Sequence, residues 1–435
     1  MNRRDFAGAI MFSMAGAAPR LVKAAGPNDQ IGMGFIGVGI RGDFLLRSFQ
    51  RVQGIRPVIA ADLYDGYLAH AKEVTSGAIE TTKDYHAVLA RKDVDAVAIA
   101  TPDHWHRQMV LDALAAGKHV YCEKPMTWSI EQGKEMIDAV EKSGKILQCG
   151  SAQGNSGFAL KIRELVKSGA IGKVNMVRLA NHRNAAEGAW VYPIPPDASE
   201  KTIDWARFQG PATKKRPYDP KVFFRWRCWW EYSGGVATDL FVHMLTGMHS
   251  MLDVTAPASA VSQGGIYRWD DGRTVPDVLN TVFEYPQKFL ADIYVNLGNS
   301  RSLSQTAIMG TEGTIILERG GMMLYPEPDE RDVQRYATAC WPEKMRQEYY
   351  ESKGFTPDGR PKTPMPQPKP AQKIEIQRAP SHQEEFIAAI REGKPRVETA
   401  TQAHYAAGAA HLANMSYRRG RRMQWDLVTG KVKEA

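Results

Sequence analysis

Three groups of residues in this chain have types and spacings that could do chemistry. The first is Glu123-Lys124-Pro125, which follows the apolar run Lys118–Cys122. A lysine at the carboxyl end of a buried strand can bond a substrate hydroxyl and favour alkoxide-like charge as a hydride leaves. Taken alone, it is equally a surface lysine at a strand end. The second is Asp239-x-x-x-His243, preceded by Gly234-Gly235. On a helix these two share a face, where an aspartate can fix the histidine's tautomer and raise its basicity, as a general base for a hydroxyl proton requires. Spacing alone also fits an ordinary helical ion pair. The third is the aromatic run Phe223–Tyr232. Its Trp226 and Trp230 can pack on the C–H faces of sugars while Arg225, Arg227 and Glu231 bond hydroxyls; a core strand or an oligomer contact explains the run as well.

These residues need a scaffold, and the stretch Ile31–Asp43 supplies its centre. Ile31, Met33, Phe35 and Ile36 read as a buried strand running into Gly37-Val38-Gly39-Ile40-Arg41-Gly42, after which Phe44, Leu45, Leu46 and Phe49 start a helical pattern. That is the strand, tight turn and helix start of a dinucleotide fold: Gly37 for the turn, Gly39 for close approach of a pyrophosphate, Gly42 for helix–strand packing. The helix N-terminus offers free N–H groups to the phosphates. Asp62 lies at the end of the second apolar run, where a carboxylate accepts bonds from ribose hydroxyls and repels the extra phosphate of NADP. NAD is therefore expected over NADP. Strands and helices keep alternating to Cys149, which predicts a doubly wound parallel sheet with ligands at the carboxyl ends of its strands.

Beyond residue 150 the pattern changes to a second α+β domain with an open, mainly antiparallel sheet. The expected organisation is a leader over 1–24, a nucleotide domain over 28–150, a substrate and oligomerisation domain over 151–380, and closing helices over 381–435. Residues 325–380 hold many of the prolines and read as an extended surface excursion. The chain's 435 residues suit two domains, and its 43% hydrophobic and 24% charged content is ordinary for a folded globular protein. The net charge of +8 lacks a basic stripe with interleaved aromatics. Arg418–Arg422 is the one dense basic cluster and reads as a solvated helix end, so no nucleic-acid partner is expected.

Cys122, Cys149, Cys228 and Cys340 form no CxxC pair and read as free thiols. His104, His182, Glu231 and His243 lack ligand spacing, and no metal is expected. At the N-terminus, Asn2-Arg-Arg-Asp-Phe6, a short weakly apolar segment and Val22-Lys23-Ala24 look like a twin-arginine export signal, too short to span a bilayer. A periplasmic or extracytoplasmic location follows as the expectation.

In this order, Gly37-x-Gly39-x-x-Gly42, Asp62, Thr101-Pro102 with His106, Glu123-Lys124-Pro125, Asp239-x-x-x-His243 and Gly310-Thr-Glu-Gly313 resemble the Gfo/Idh/MocA family of nucleotide-dependent sugar and cyclitol dehydrogenases. The resemblance implies that Val38, Ile40, Arg41, Thr101, Pro102, His106 and Glu123 join the glycines and Asp62 in holding NAD. It also implies that Lys124 polarises the reacting hydroxyl, His243 takes its proton and Asp239 orients the site. The expected substrate is a sugar, glycoside or cyclitol, and the expected assembly is a homodimer or homotetramer built through the open sheet. The nucleotide is expected to stay bound and be recycled. Two alternatives use the same residues: an NAD-dependent glycosidase acting by transient oxidation at C3 and elimination, and a nucleotide-binding sensor without turnover.

Overall fold

The computed structural model describes residues 30–435, except 213, 302–305, 319–320, 329–332 and 365–368. The expected export signal lies outside the described residues. The first sheet holds β1 (Ile31–Ile36), β2 (Ile55–Ala61), β3 (Glu80–Thr82), β4 (Ala96–Ile99), β5 (His119–Cys122) and β6 (Leu147–Cys149). All are parallel, in the order β3-β2-β1-β4-β5-β6. Strand β1 is buried at every position, as a central strand covered on both faces must be. The order reverses between β1 and β4, and that switch point opens the crevice where such sheets bind ligands.

The second sheet has ten strands: β7 (Val174–His182), β8 (Ser259–Gly265), β9 (Val278–Tyr285), β10 (Phe289–Asn296), β11 (Thr306–Gly310), β12 (Gly313–Glu318), β13 (Gly321–Pro326), β14 (Gln372–Ile374), β15 (Met423–Trp425) and β16 (Val432–Glu434). Among its described pairs only β7 and β10 run parallel; the others are antiparallel. Residues alternate buried and exposed along β9, because one face packs on helices and the other is open. Val261, Val282 and Leu290 stand on that open face at 40–47% exposure.

The closing helices tie the halves together. His382–Glu392 starts with a Ser381/Glu384 capping box and drives Phe386 against Phe49 and Tyr121 of the first domain. Ala400–Arg419, also boxed at Thr399/Gln402, is buried along most of its length.

Two sequence expectations are corrected, and the strand alternative for the aromatic run is set aside. Residues 325–380 are not simply extended: they hold the helices Arg335–Thr338 and Glu343–Ser352 and the strand β14, with Val333, Tyr350 and Phe355 as a small core of their own. The aromatic run forms no strand but the helix Pro220–Phe224 and the 3-10 turn Trp226–Cys228. Asp239 lies within a π-helical turn, Ala237–Phe241, that leads into the α-helix Val242–Leu252.

Candidate active site

The glycine turn forms the floor of a cleft of ≈300 Å³ whose lining includes Gly37, Gly39, Ile40, Arg41, Asp62, Thr101 and Pro102. Gly37 has φ +82°, the left-handed region that favours glycine. A Cβ on Gly42 would run into the Gly37 carbonyl, so the helix can start this close to the strand only with glycine there. A Cβ on Gly39 would press on the Tyr67 ring at 2.9 Å. The helix Ile40–Gln50 has no side-chain cap at its N-terminus, which leaves its first N–H groups for an anion. Asp62 sits at the carboxyl end of β2 and accepts the N–H groups of Val38 (2.8 Å) and Tyr64 (3.0 Å). Burial raises its carboxyl to about 6, against the lowering effect of those bonds. An uncapped helix end, a glycine floor and a carboxylate at the end of β2 fit a dinucleotide. Val38 itself does not line the cleft; its N–H holds Asp62 instead.

The second domain reaches over this cleft. Asp65 N–H donates to Thr202 O (3.1 Å), Asp204 N–H donates to Leu63 O (2.9 Å), and Tyr64 and Ile203 form an isolated antiparallel bridge. Phe208, Phe223, Phe224 and Trp226 thereby join Tyr67, Tyr85 and Trp105 in its walls. Sequence reasoning missed most of this aromatic enclosure, because no spacing rule connects residues 64 and 203.

The polar centre draws on four parts of the chain. Lys124, just past β5, donates to Asp239 Oδ1 (2.7 Å) and to the Asp239 carbonyl (2.8 Å). Arg227 Nε donates to the same carboxylate oxygen at 2.9 Å. Burial opposes the charge on Asp239, but Lys124 and then Arg227 outweigh it and hold its carboxyl far below the ordinary range. His243 Nδ1 faces Ser151 Oγ, just past β6, at 3.2 Å. Burial, followed by the Lys124 charge, pushes His243 down to about 3; Asp239 acts in the raising direction but more weakly. His243 is thus a neutral imidazole at neutral pH. Behind these groups, Arg41 pairs with Glu123 at 2.5 Å, and the Glu123 carboxyl approaches to 2.8 Å from where a Cβ on Gly150 would be.

The structure brings Lys124, Asp239 and His243 together electrostatically but redistributes their partners. Asp239 does not orient His243; two cations claim its carboxylate first, and Ser151 faces the histidine. Ser151 was not singled out from the sequence, although a polar residue just past a parallel strand is a signal for it, and Arg227, read as a sugar contact, is instead a partner of Asp239. His106 is a brace rather than a wall of the cleft: it is buried, with Nδ1 on Pro125 O (2.7 Å) and Nε2 on Thr101 O (2.9 Å). Glu123 likewise meets Arg41 rather than the cleft. Of the proposed sugar contacts, Trp226 lines the cleft, Arg225 Nε is engaged by Tyr192 O (2.7 Å), Glu231 is paired with Arg216 (2.6 Å), and Trp230 faces a different cavity. Among the described residues no group of three or more His, Cys, Asp or Glu is placed to hold a metal ion, and Cys122, Cys149, Cys228 and Cys340 are free.

A parallel six-stranded sheet with a glycine turn at its switch point, and a lysine beyond its fifth strand, define a two-domain nucleotide-binding oxidoreductase. Comparison with known proteins makes the assignment specific. The Gfo/Idh/MocA oxidoreductase model for the NAD-binding Rossmann fold matches residues 31–151, and its C-terminal alpha/beta domain model matches residues 163–425. The chain belongs to this family. It is similar to inositol 2-dehydrogenase of Klebsiella pneumoniae (strain 342), 33% identical over 158 residues, 36% of this chain and 47% of that protein. It is also similar to glycosyl hydrolase family 109 protein 2 of Shewanella sp. (strain ANA-3), 36% identical over 124 residues, 26% of each chain. The chain thus spans about half the length, or less, of these curated relatives. Aldose-aldose oxidoreductase from Caulobacter crescentus shares the fold, with a TM-score of 0.63 at 18% identity over 91% of this chain and 99% of that one.

Proposed function

We propose that this protein is an exported NAD-dependent oxidoreductase that moves a hydride between a hydroxyl of a sugar, glycoside or cyclitol and the nicotinamide, with its nucleotide retained and recycled by passing the hydride to the carbonyl of a second sugar. The observation that carries the reading is Lys124 held against Asp239 beside a neutral His243, past the carboxyl ends of β5 and β6. NAD, when bound, supplies the hydride acceptor. Gly37, Gly39 and the uncapped start of Ile40–Gln50 hold its phosphates, and Asp62 takes its ribose hydroxyls. Lys124 meets the reacting hydroxyl oxygen and stabilises the negative charge that develops there. His243 accepts the hydroxyl proton at a ring nitrogen. Its low basicity is partly the work of the Lys124 charge, and charge developing on the oxygen offsets that effect as the proton moves. The aromatic walls Phe208, Phe223, Phe224 and Trp226 support retention, and Arg3-Arg4 supports export by the twin-arginine route.

Redox-neutral glycoside cleavage is a second reading, favoured by the family 109 relative. Mass spectrometry and absorbance of the purified, folded protein, followed by turnover on sugars, glycosides and inositols, decide between the two. Co-purified NAD with oxidised product supports the first; aglycone release without net redox change supports the second. A protein that binds neither NAD nor NADP in the micromolar range or better rules out both. Cell fractionation with Arg3→Lys and Arg4→Lys variants tests export, which fails as a reading if the wild-type protein stays in the cytoplasm.

A further inference from the structure

A second cleft, of ≈540 Å³, lies between residues 128–131, residues 230–234 and the carboxyl half of Ala400–Arg419. It shares no lining residue with the nucleotide cleft, and Lys124, Asp239 and His243 do not line it. Its size falls in the range of small-molecule sites, about 300–1,000 Å³. Two indoles, Trp128 and Trp230, stand in its walls, each half-buried. Both are fixed at the backbone: Trp128 N–H donates to Gln132 Oε1 (2.9 Å) and Trp230 N–H donates to Thr274 Oγ1 (3.0 Å).

The polar groups of this cleft are incompletely used. Asn414 is 6% exposed, and its Nδ2 donates to Gly234 O at 2.8 Å. Its Oδ1, in the same buried amide, has no hydrogen-bond partner. Leaving such an acceptor bare costs about 1–3 kcal/mol, so a ligand donor would be favoured there once the Asn414 amide turns towards the cleft and exposes this buried atom. Glu131 has no ion-pair partner among the described residues. Arg418 lies 5.1 Å from the Trp230 ring and likewise has no carboxylate partner among them.

We infer that this cleft binds a pyranose ring of a neutral sugar. An anion would meet Arg418, but Arg419 is already paired with Glu434, and Glu131 and the bare Asn414 Oδ1 are both acceptors. A purely apolar ligand would strip water from Glu131, Arg418 and Asn414 and return no hydrogen bonds. A sugar presents C–H faces to the indoles, hydroxyl donors to Asn414 Oδ1 and Glu131, and hydroxyl acceptors to Arg418. The inference rests on the chemistry of this cleft and does not require hydride transfer at Lys124.

The test is calorimetric titration of the full, nucleotide-loaded protein with cellobiose, maltose and lactose. At least one of these disaccharides should bind, and Trp230→Ala should weaken it at least about tenfold, equivalent to ~1.4 kcal/mol. Arg418→Ala, a change at an exposed residue that leaves the core untouched, should weaken it in the same direction. NADH affinity should be unchanged in both variants, and Lys124→Met should keep the binding while losing any turnover. A wild-type chain that binds none of these sugars overturns the inference. So does a Trp230→Ala chain that binds them undiminished, or one whose only change is loss of subunit association. Persistence of Trp230-dependent binding in a chain that oxidises nothing would separate this site's survival from failure of the proposed activity.

Discussion

Lys124 Nζ lies 2.7 Å from Asp239 Oδ1, and the same lysine also caps the backbone carbonyl of that aspartate. Asp239 is therefore the residue that aims Lys124, with Arg227 as a second cation on the same oxygen. Asp239→Asn leaves two cations against a neutral amide. Breaking a buried pair in this way costs about 3–5 kcal/mol, and losing a positioned acid–base group costs on the order of 10²–10⁴ in rate. The thermal midpoint and kcat should both fall; a variant with wild-type kcat would remove Asp239 from the site.

Ser151→Ala tests the partner seen at His243. Nδ1 would lose the hydroxyl 3.2 Å away, and the ring's tautomer would no longer be set from that side. The expected result is a kcat about tenfold lower, equivalent to ~1.4 kcal/mol, with nucleotide affinity unchanged. An equal change in nucleotide affinity would place Ser151 in the wrong half of the site.

Asp62 links nucleotide choice to pH. Its carboxyl titrates at about 6 in the folded chain, so it is ionised above that pH and neutral below it. Ribose hydroxyls donate to the ionised form, and the extra phosphate of NADP is repelled by it. Preference for NAD should therefore weaken as pH falls through 6, and Asp62→Ala should show the weakened preference at every pH. Equilibrium titrations with both nucleotides from pH 5 to pH 8 measure this.

Buried histidines make the fold acid-sensitive. Burial lowers His104, His243 and His249 to about 3, and His382 and His411 to about 4. The unfolded chain takes up these protons near pH 6.5, so stability falls as pH drops from 6.5 towards 4. Asp62, Asp103 and Glu398, all raised by burial, act in the opposite sense: each binds a proton more readily when folded. The histidines outnumber them. Denaturant midpoints should decline below pH 6.5, and a midpoint that rises there would contradict the packing described.

The open face of the second sheet predicts self-association. Val261 and Val282 are paired neighbours across β8 and β9, and both are exposed. Leu290 pairs with Glu284 on the same face. Val282→Lys should convert an oligomer to a smaller species by light scattering. A wild-type chain already monomeric at high concentration would leave this face without that role.

What was legible in the sequence was local. The run from Ile31 to Gly42 specifies strand, turn and helix start within twelve residues, and the structure follows it residue by residue. The Lys124 strand end is of the same kind. The site's wiring was less legible because tertiary partners displaced nearer ones. Asp239 and His243 have helical spacing, yet a lysine 115 residues away takes the carboxylate. The aromatic run was read as one unit, but a 3-10 turn splits it, so that Trp226 faces one cleft and Trp230 another. In the proline-rich segment, Pro342 serves as the N-cap of Glu343–Ser352. The proline-free stretch that follows leaves room for a helix that counting prolines obscured.

The bonds between residues 63–65 and 202–204 give the nucleotide cleft a clock. They join two domains across a gap of about 140 residues in sequence, beside Asp62 and Leu63 of the cleft lining. If release of a bound nucleotide requires that bridge to open, its escape is a local unfolding event rather than simple dissociation. Its rate should climb steeply with warming, about 3–6-fold per 10 °C as unfolding rates do. The lifetime of the bound state would then be a property of the polypeptide more than of the ligand.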